Sequence, residues 1–175
     1  MPRINFFEDR NKQITIQKEF GLRDDRANQP AYIDEYLSNK NDKWFGSVIN
    51  DKEKNVAFFP VDHCVTIKRD DGSDASRCEG ILRYDDNNLI FTELKDQDVI
   101  SDWRQDAEAQ IKETLTFFFD NYDKKVFHIR AWICNKRQLT FPNFHQQIKA
   151  FKAETKASFK LKHGIVLIIH REIKI

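Results

Sequence analysis

Glu79-Gly80-Ile81-Leu82-Arg83-Tyr84-Asp85-Asp86-Asn87-Asn88-Leu89-Ile90-Phe91-Thr92-Glu93-Leu94-Lys95 is the stretch on which the fold turns. Two runs rich in apolar residues, 79–84 and 89–95, flank a short polar join whose residues tolerate turn geometry, which predicts an antiparallel hairpin. Strand side chains alternate with period two, so Glu93 and Lys95 project together from the end of the second run. Placing charges beside so apolar a run costs free energy unless they are paired or hold a metal.

Glu79, at the start of the first run, returns toward Glu93 when the hairpin closes, but register decides whether the two carboxylates share a face. A symmetric turn pairing Tyr84 with Leu89 sets Glu79 opposite Leu94, on the wrong side. A three- or five-residue loop, or a bulge, shifts the pairing by one and brings Glu79 onto the face of Glu93 and Lys95. Convergence requires that irregularity. The Glu-x-Lys pattern alone is uninformative, because it recurs at Glu154 to Lys156 and Glu172 to Lys174, with a related Asp123 to Lys125. Only at Glu93 does a buried strand precede it and a helix follow.

Downstream, Trp103, Ala107, Gln110, Ile111, Thr114, Leu115 and Phe118 recur at helical spacing, predicting a helix capped by Ser101 and running to about Phe119. A strand over 126–134, a helix over 144–155 and a strand over 165–169 follow. Strands separated by helices favour parallel crossovers, so the expected fold is α/β or α+β: a mixed sheet with helices on its faces. Upstream, 44–49 and 56–67 read as strands. Residues 1–60 are the least readable, with a strand over 13–17 and a short helix from Ala31 to Leu37 after Pro30. Residues 21–30, 38–43 and 68–77 read as irregular connections. A single domain over 1–175, with its core in 77–170, accounts for the pattern.

Composition narrows function mainly by exclusion. A net charge of +1 supplies no global attraction to nucleic acid, so phosphate binding must come from local patches. No apolar run approaches the roughly 18 residues of a membrane span, and the first residues lack a signal-peptide core, which predicts a cytoplasmic protein that does not enter the membrane. Cys64, Cys78 and Cys134 lack Cys-x-x-Cys spacing and read as buried thiols rather than a disulfide framework or zinc ribbon. Adjacent His63 and Cys64 would point to opposite faces of a strand and do not suit one centre.

The segments Arg77-Cys78-Glu79-Gly80-Ile81-Leu82, Phe91-Thr92-Glu93-Leu94-Lys95-Asp96 and Ala109-Gln110-Ile111 resemble the PD-(D/E)XK, or restriction-endonuclease-like, nuclease superfamily, including bacterial members with a Cys-Asp, Glu-Leu-Lys and Ala-x-x-Gln-Leu order. The resemblance covers about residues 77–120. It implies that Glu79 and Glu93, helped by the Leu94 carbonyl, bind Mg²⁺ or Mn²⁺, and that Lys95 positions or activates water. Glu79 stands where the pattern has Asp, one methylene shorter. Gln110 is the helix glutamine that reaches such a site in similar families, or else a helix-surface contact. Glu35 offers a further acid, or a solvated helix residue.

The implied activity is metal-dependent hydrolysis of phosphodiester bonds, with DNA as the expected partner and a symmetric dimer as the simplest way to cut both strands. Lys124, Lys125, Arg130, Lys136 and Arg137, with Lys160, Lys162, His163 and Arg171, are candidates for a cationic rim, though a chain with 29 basic residues shows basic runs on ordinary solvated faces too. Phe141, Phe144 and Trp132 suit a core better than a base-stacking platform. Two alternatives stand beside the enzyme: a partly buried ion network without catalysis, and a nuclease-like module that binds nucleic acid or protein without cutting.

Overall fold

The computed structural model describes residues 3–98, 100–138 and 142–175; Phe141 lies outside them. Strands β1 (Gln13–Thr15), β2 (Glu19–Arg23), β3 (Tyr32–Asp34), β4 (Gly46–Ile49), β5 (Val56–Pro60), β6 (Gly80–Tyr84) and β7 (Asn88–Lys95) precede helix α1 (Trp103–Asn121). Strand β8 (His128–Asn135), helix α2 (His145–Ser158), β9 (Val166–Ile169) and β10 (Glu172–Lys174) complete the chain. The fold is mixed α+β. A six-stranded sheet has the order β1-β5-β6-β7-β8-β9, and a four-stranded sheet the order β10-β4-β2-β3.

In the larger sheet, β6 and β7 pair antiparallel, whereas β7, β8 and β9 run parallel through crossovers over α1 and α2. That is why β7 reads as a nearly continuous apolar run: it is central and covered on both sides. One face of the sheet, through Ile81, Leu89, Phe91, Ala131 and Ile133, packs on Trp103, Ala107, Ile111, Leu115 and Phe118 of α1 and on Phe151 of α2. The other, through Phe58, Leu82, Ile90, Trp132 and Cys134, packs on Phe20, Leu22, Phe45, Val48 and Ile173 of the smaller sheet. Helices, large sheet and small sheet form three layers. The two sheets approach closely at Gly46, where a Cβ would lie 2.5 Å from the Trp132 ring.

Residues 1–60 depart most from the sequence reading. The helix expected from Ala31 to Leu37 is instead β3 followed by a 3₁₀ turn over Leu37–Asn39. Tertiary pairing with β2 overrides the local helix signal, and the Asp34 carboxylate fixes the corner by accepting from the Tyr36 amide, Arg23 and Asn39. Glu35 accordingly follows a strand. Strand β2 runs into the segment read as irregular from residue 21, and the chain's last strand, β10, joins β4 in parallel. Strand β5 ends at Pro60, well short of the expected 67. Helix α1 begins after Asp102, whereas Ser101 turns its hydroxyl to the Asp98 carbonyl instead of capping.

Candidate active site

The turn between β6 and β7 has three residues, Asp85, Asp86 and Asn87, with Asp85 and Asp86 in the left-handed region at φ 46° and 57°. Asp tolerates that region better than most residues. Tyr84 therefore faces Asn88 and Gly80 faces Thr92, and extending the register by one places Glu79 opposite Glu93. This is the odd-residue loop that convergence demands.

Glu79 lies just beyond the last ladder pair. Its amide donates to Glu93 Oε2 at 3.2 Å, so the Glu93 carboxylate sits against the Glu79 backbone. Glu93 is fully buried and Glu79 is only 9 % exposed. Lys95 Nζ lies 2.7 Å from Glu93 Oε1 and donates to Gln110 Oε1 at 2.5 Å. Gln110 Nε2 in turn donates to the Arg77 carbonyl at 3.4 Å, tying α1 to the residue two before Glu79. Cys78 is held similarly, its amide donating to Thr114 Oγ1 at 2.8 Å. Helix α1 thus steadies both the lysine and the approach to β6.

Leu94 points its side chain away from this face. The Lys95 carbonyl accepts from the Lys136 amide on the β8 side, so by strand alternation the Leu94 carbonyl is directed to the opposite edge, where β6 has ended. Its oxygen therefore faces the Glu79 side of the site.

Burial pushes the Glu79 carboxyl up to about 9, aided by the charges of Glu93, Asp24 and Asp62 and opposed by Lys95. Glu93 is raised to about 7 by burial, against the ion pair with Lys95. Two carboxylates withdrawn from water and facing one another resist ionisation unless a cation joins them. Asp24, immediately after β2, is also raised, by burial and then by Asp62. Asp62, after β5, is gripped by Arg77 Nε at 3.1 Å and His63 Nε2 at 3.2 Å. These two acids escaped the sequence reading because each sits in a connection, without periodicity or a motif; only the tertiary arrangement puts their charge beside Glu79.

A divalent cation fits this donor set. Glu93 Oε1 is fully buried and has no directed hydrogen bond among the described residues, although Lys95 neutralises it as an ion pair. Among the described residues no three His, Cys, Asp or Glu side chains gather as a closed metal cage. Two carboxylates are a donor set that Mg²⁺ or Mn²⁺ could use, since either accepts one or two carboxylates and completes its shell with water and phosphate oxygens.

The predicted basic residues divide between the two ends of the large sheet. Lys136 and Arg137 follow β8 beside Lys95, with Arg137 Nε 2.6 Å from Asp96 and the Lys136 ammonium 5.4 Å from the Phe45 ring centroid. Lys124, Lys125 and Arg130 lie near the start of β8, at the opposite end of the sheet, so they do not rim the carboxylates. Arg130 is occupied by the Tyr84 hydroxyl at 2.7 Å and the Lys174 carbonyl at 3.2 Å. Arg171 donates to the Lys40 and Asn41 carbonyls. Trp132 is buried between the sheets and Phe144 packs against the helix-side core. Cys78 and Cys134 are buried, with burial raising both thiols, and Cys64 is half-buried; all three are unbridged. Among the described residues no helix is long and apolar enough to cross a membrane. Comparison with protein-family models, curated proteins and solved structures gives no match to this chain.

Proposed function

We propose that the protein is a metal-dependent nuclease that hydrolyses phosphodiester bonds, with DNA as the expected substrate. The observation that carries the reading is the register of the hairpin, which sets Glu79 opposite Glu93 on the face of Lys95. Glu79 and Glu93, with the Leu94 carbonyl, would hold Mg²⁺ or Mn²⁺. When bound, such a cation supplies charge stabilisation to the phosphate and lowers the pKa of an attacking water. Lys95, held by Gln110, orients that water by donating to it, and its ammonium offsets charge developing on the phosphate. Water attacks phosphorus, the phosphorus-to-ester-oxygen bond breaks, and the products are a phosphomonoester and an alcohol.

A second reading, a nuclease-like module that binds nucleic acid or a protein partner without cutting, is favoured by one observation: Lys95 is engaged on two sides, by Glu93 and Gln110, as in a purely structural ion network. Incubation with plasmid, linear duplex, single-stranded DNA and RNA, in Mg²⁺, Mn²⁺ or chelator, separates the two. Cleavage that requires metal and disappears in Lys95→Ala supports the nuclease. Binding without cleavage under every condition supports the module and sinks the enzyme. A dimer acting on both strands predicts paired nicks and a doubled mass in sedimentation.

A further inference from the structure

The end of the molecule remote from Glu93 carries its own cluster of cations. Helix α1 ends at Asn121 and α2 at Ser158, and both lead into the start of the parallel strands β8 and β9. Between them runs a groove made of two adjoining depressions. One, of about 340 Å³, is bordered by Phe119, Lys124, Phe127, Leu161, Lys162 and His163 among others. The second, of about 720 Å³, shares Phe119, Lys124, Leu161 and Lys162 and adds Lys125 and Lys160.

The walls are built rather than incidental. Lys124 Nζ donates to the Phe159 carbonyl at 3.0 Å, and the Ile165 amide donates to Thr155 Oγ1 at 2.9 Å, so both ends of the 159–165 connection are tied down. Gly164 sits where a Cβ would come 1.8 Å from the Lys152 carbonyl oxygen, which holds the connection tight against α2.

Charge is the informative part. None of Lys124, Lys125, Lys160, Lys162 and His163 forms an ion pair among the described residues. Among the described residues the groove is lined by one carboxylate, Asp123, which accepts from the Lys125 backbone amide. Two converging helix C-termini present together about one unit of negative charge, answered by Lys124, which donates to the Phe159 carbonyl, and by Lys156 in the last turn of α2. The remaining cations stand in excess, and like charges gathered without a counterion repel one another. Aromatic and aliphatic edges of Phe119, Phe127 and Leu161 line the same channel. Cations alternating with apolar surface suit a nucleotide, whose phosphates and flat base need both.

We propose that this groove binds nucleotide phosphates, at a site separate from Glu79 and Glu93. Strand β8 spans the two sites, and its length sets them roughly 20 Å or more apart. The inference does not depend on whether the carboxylates cut anything. The ligand chemistry is two or more closely spaced phosphates joined to a base, and it has two sources: a free nucleoside triphosphate, or the backbone of a single strand.

Binding is measured on the full chain in chelator, where cleavage is off, by titrating ATP, inorganic pyrophosphate and a fluorescent single-stranded 12-mer. The wild type is expected to bind ATP or the 12-mer saturably and more tightly than pyrophosphate. Lys125→Glu/Lys162→Glu, both exposed, should weaken that binding at least tenfold, whereas Lys43→Glu/Lys149→Glu, an equal charge change outside the groove, should change it less than threefold. Tighter binding of ATP identifies a free nucleotide as the ligand, and tighter binding of the 12-mer identifies a strand. Absence of saturable binding to both, or equal losses in the two charge-reversed proteins, overturns the proposal. Intact binding in Lys95→Ala alongside lost cleavage shows that the two sites stand separately.

Discussion

Glu79 is the residue at which the candidate site costs the fold most. Its carboxyl is raised to about 9 and that of Glu93 to about 7, both above the 4.5 expected of an unfolded glutamate, with burial the leading cause. A raised folded-state value means that the native chain binds more protons than the unfolded one across that window. Stability is therefore full below about pH 4.5 as far as these groups are concerned, and is lost as pH rises toward 9. Thermal melts in chelator from pH 5 to pH 9 should show a falling Tm, and Glu79→Gln should flatten the fall. At pH 8 the same substitution should raise Tm in chelator by roughly 3–6 °C, corresponding to about 1–2 kcal/mol, because glutamine removes the cost of protonating a carboxyl that is ionised in the unfolded chain. It should also abolish any Mg²⁺-induced shift. A Glu79→Gln protein less stable than wild type in chelator would contradict the buried repulsion. Lys95→Ala has the opposite sign: it leaves Glu93 buried without its counter-charge, and Tm without metal should fall by an amount reflecting roughly 3 kcal/mol or more.

Register and close packing are set at the level of elements. The three-residue turn places Asp85 and Asp86 at positive φ, where a β-branched side chain is strained. Asp86→Val is expected to destabilise the chain by about 1–2 kcal/mol. Any slip toward a symmetric turn would move Glu79 off the face of Glu93, so metal binding should suffer more than stability; urea melts paired with Mg²⁺ titration measure both. On the other face, a methyl at Gly46 would lie 2.5 Å from the Trp132 ring and 2.7 Å from Cys134 Sγ. Gly46→Ala should cost about 1–3 kcal/mol through overpacking, visible as a lower urea midpoint with unchanged m. An unaltered midpoint would mean that the small sheet is free to shift away from the large one.

For the whole molecule, the three layers gather the acids Asp24, Asp62, Glu79 and Glu93 at one end of the large sheet, where Lys95 and Arg77 pair with two of them, and Lys124, Lys125, Lys160 and Lys162, without ion pairs among the described residues, at the other. A net charge of +1 conceals that separation. A cation bound only by the folded state should raise its stability by about 2.7 kcal/mol at a hundredfold excess over Kd, or roughly 5–10 °C in Tm. Mg²⁺ and Mn²⁺ should produce that shift and Lys95→Ala should retain part of it, since both carboxylates remain. Differential scanning fluorimetry across a metal series checks this, and a metal-independent Tm would exclude a folded-state cation site.

How far the chain could be read depended on whether a signal was local. Periodicity from residue 79 onward was sufficient for the hairpin, helix α1, the parallel strand β8, helix α2 and β9 in their order, because each buries a face with its own spacing. The pairing of Glu93 with Lys95, two residues apart on one strand, was readable for the same reason. Residues 1–60 were not, because β2 and β3 are short strands whose identity rests on partners distant in sequence, including β4 and, through it, the chain's last strand β10. The residues of 79–95 by themselves determined that a hairpin would form and that Glu93 and Lys95 would share its face. Tertiary structure alone decided the one-residue register that brings Glu79 across from Glu93, the approach of Asp24 and Asp62, and the removal of Lys124 and Lys125 to the far end, since charges in connections acquire their neighbours only when the layers pack.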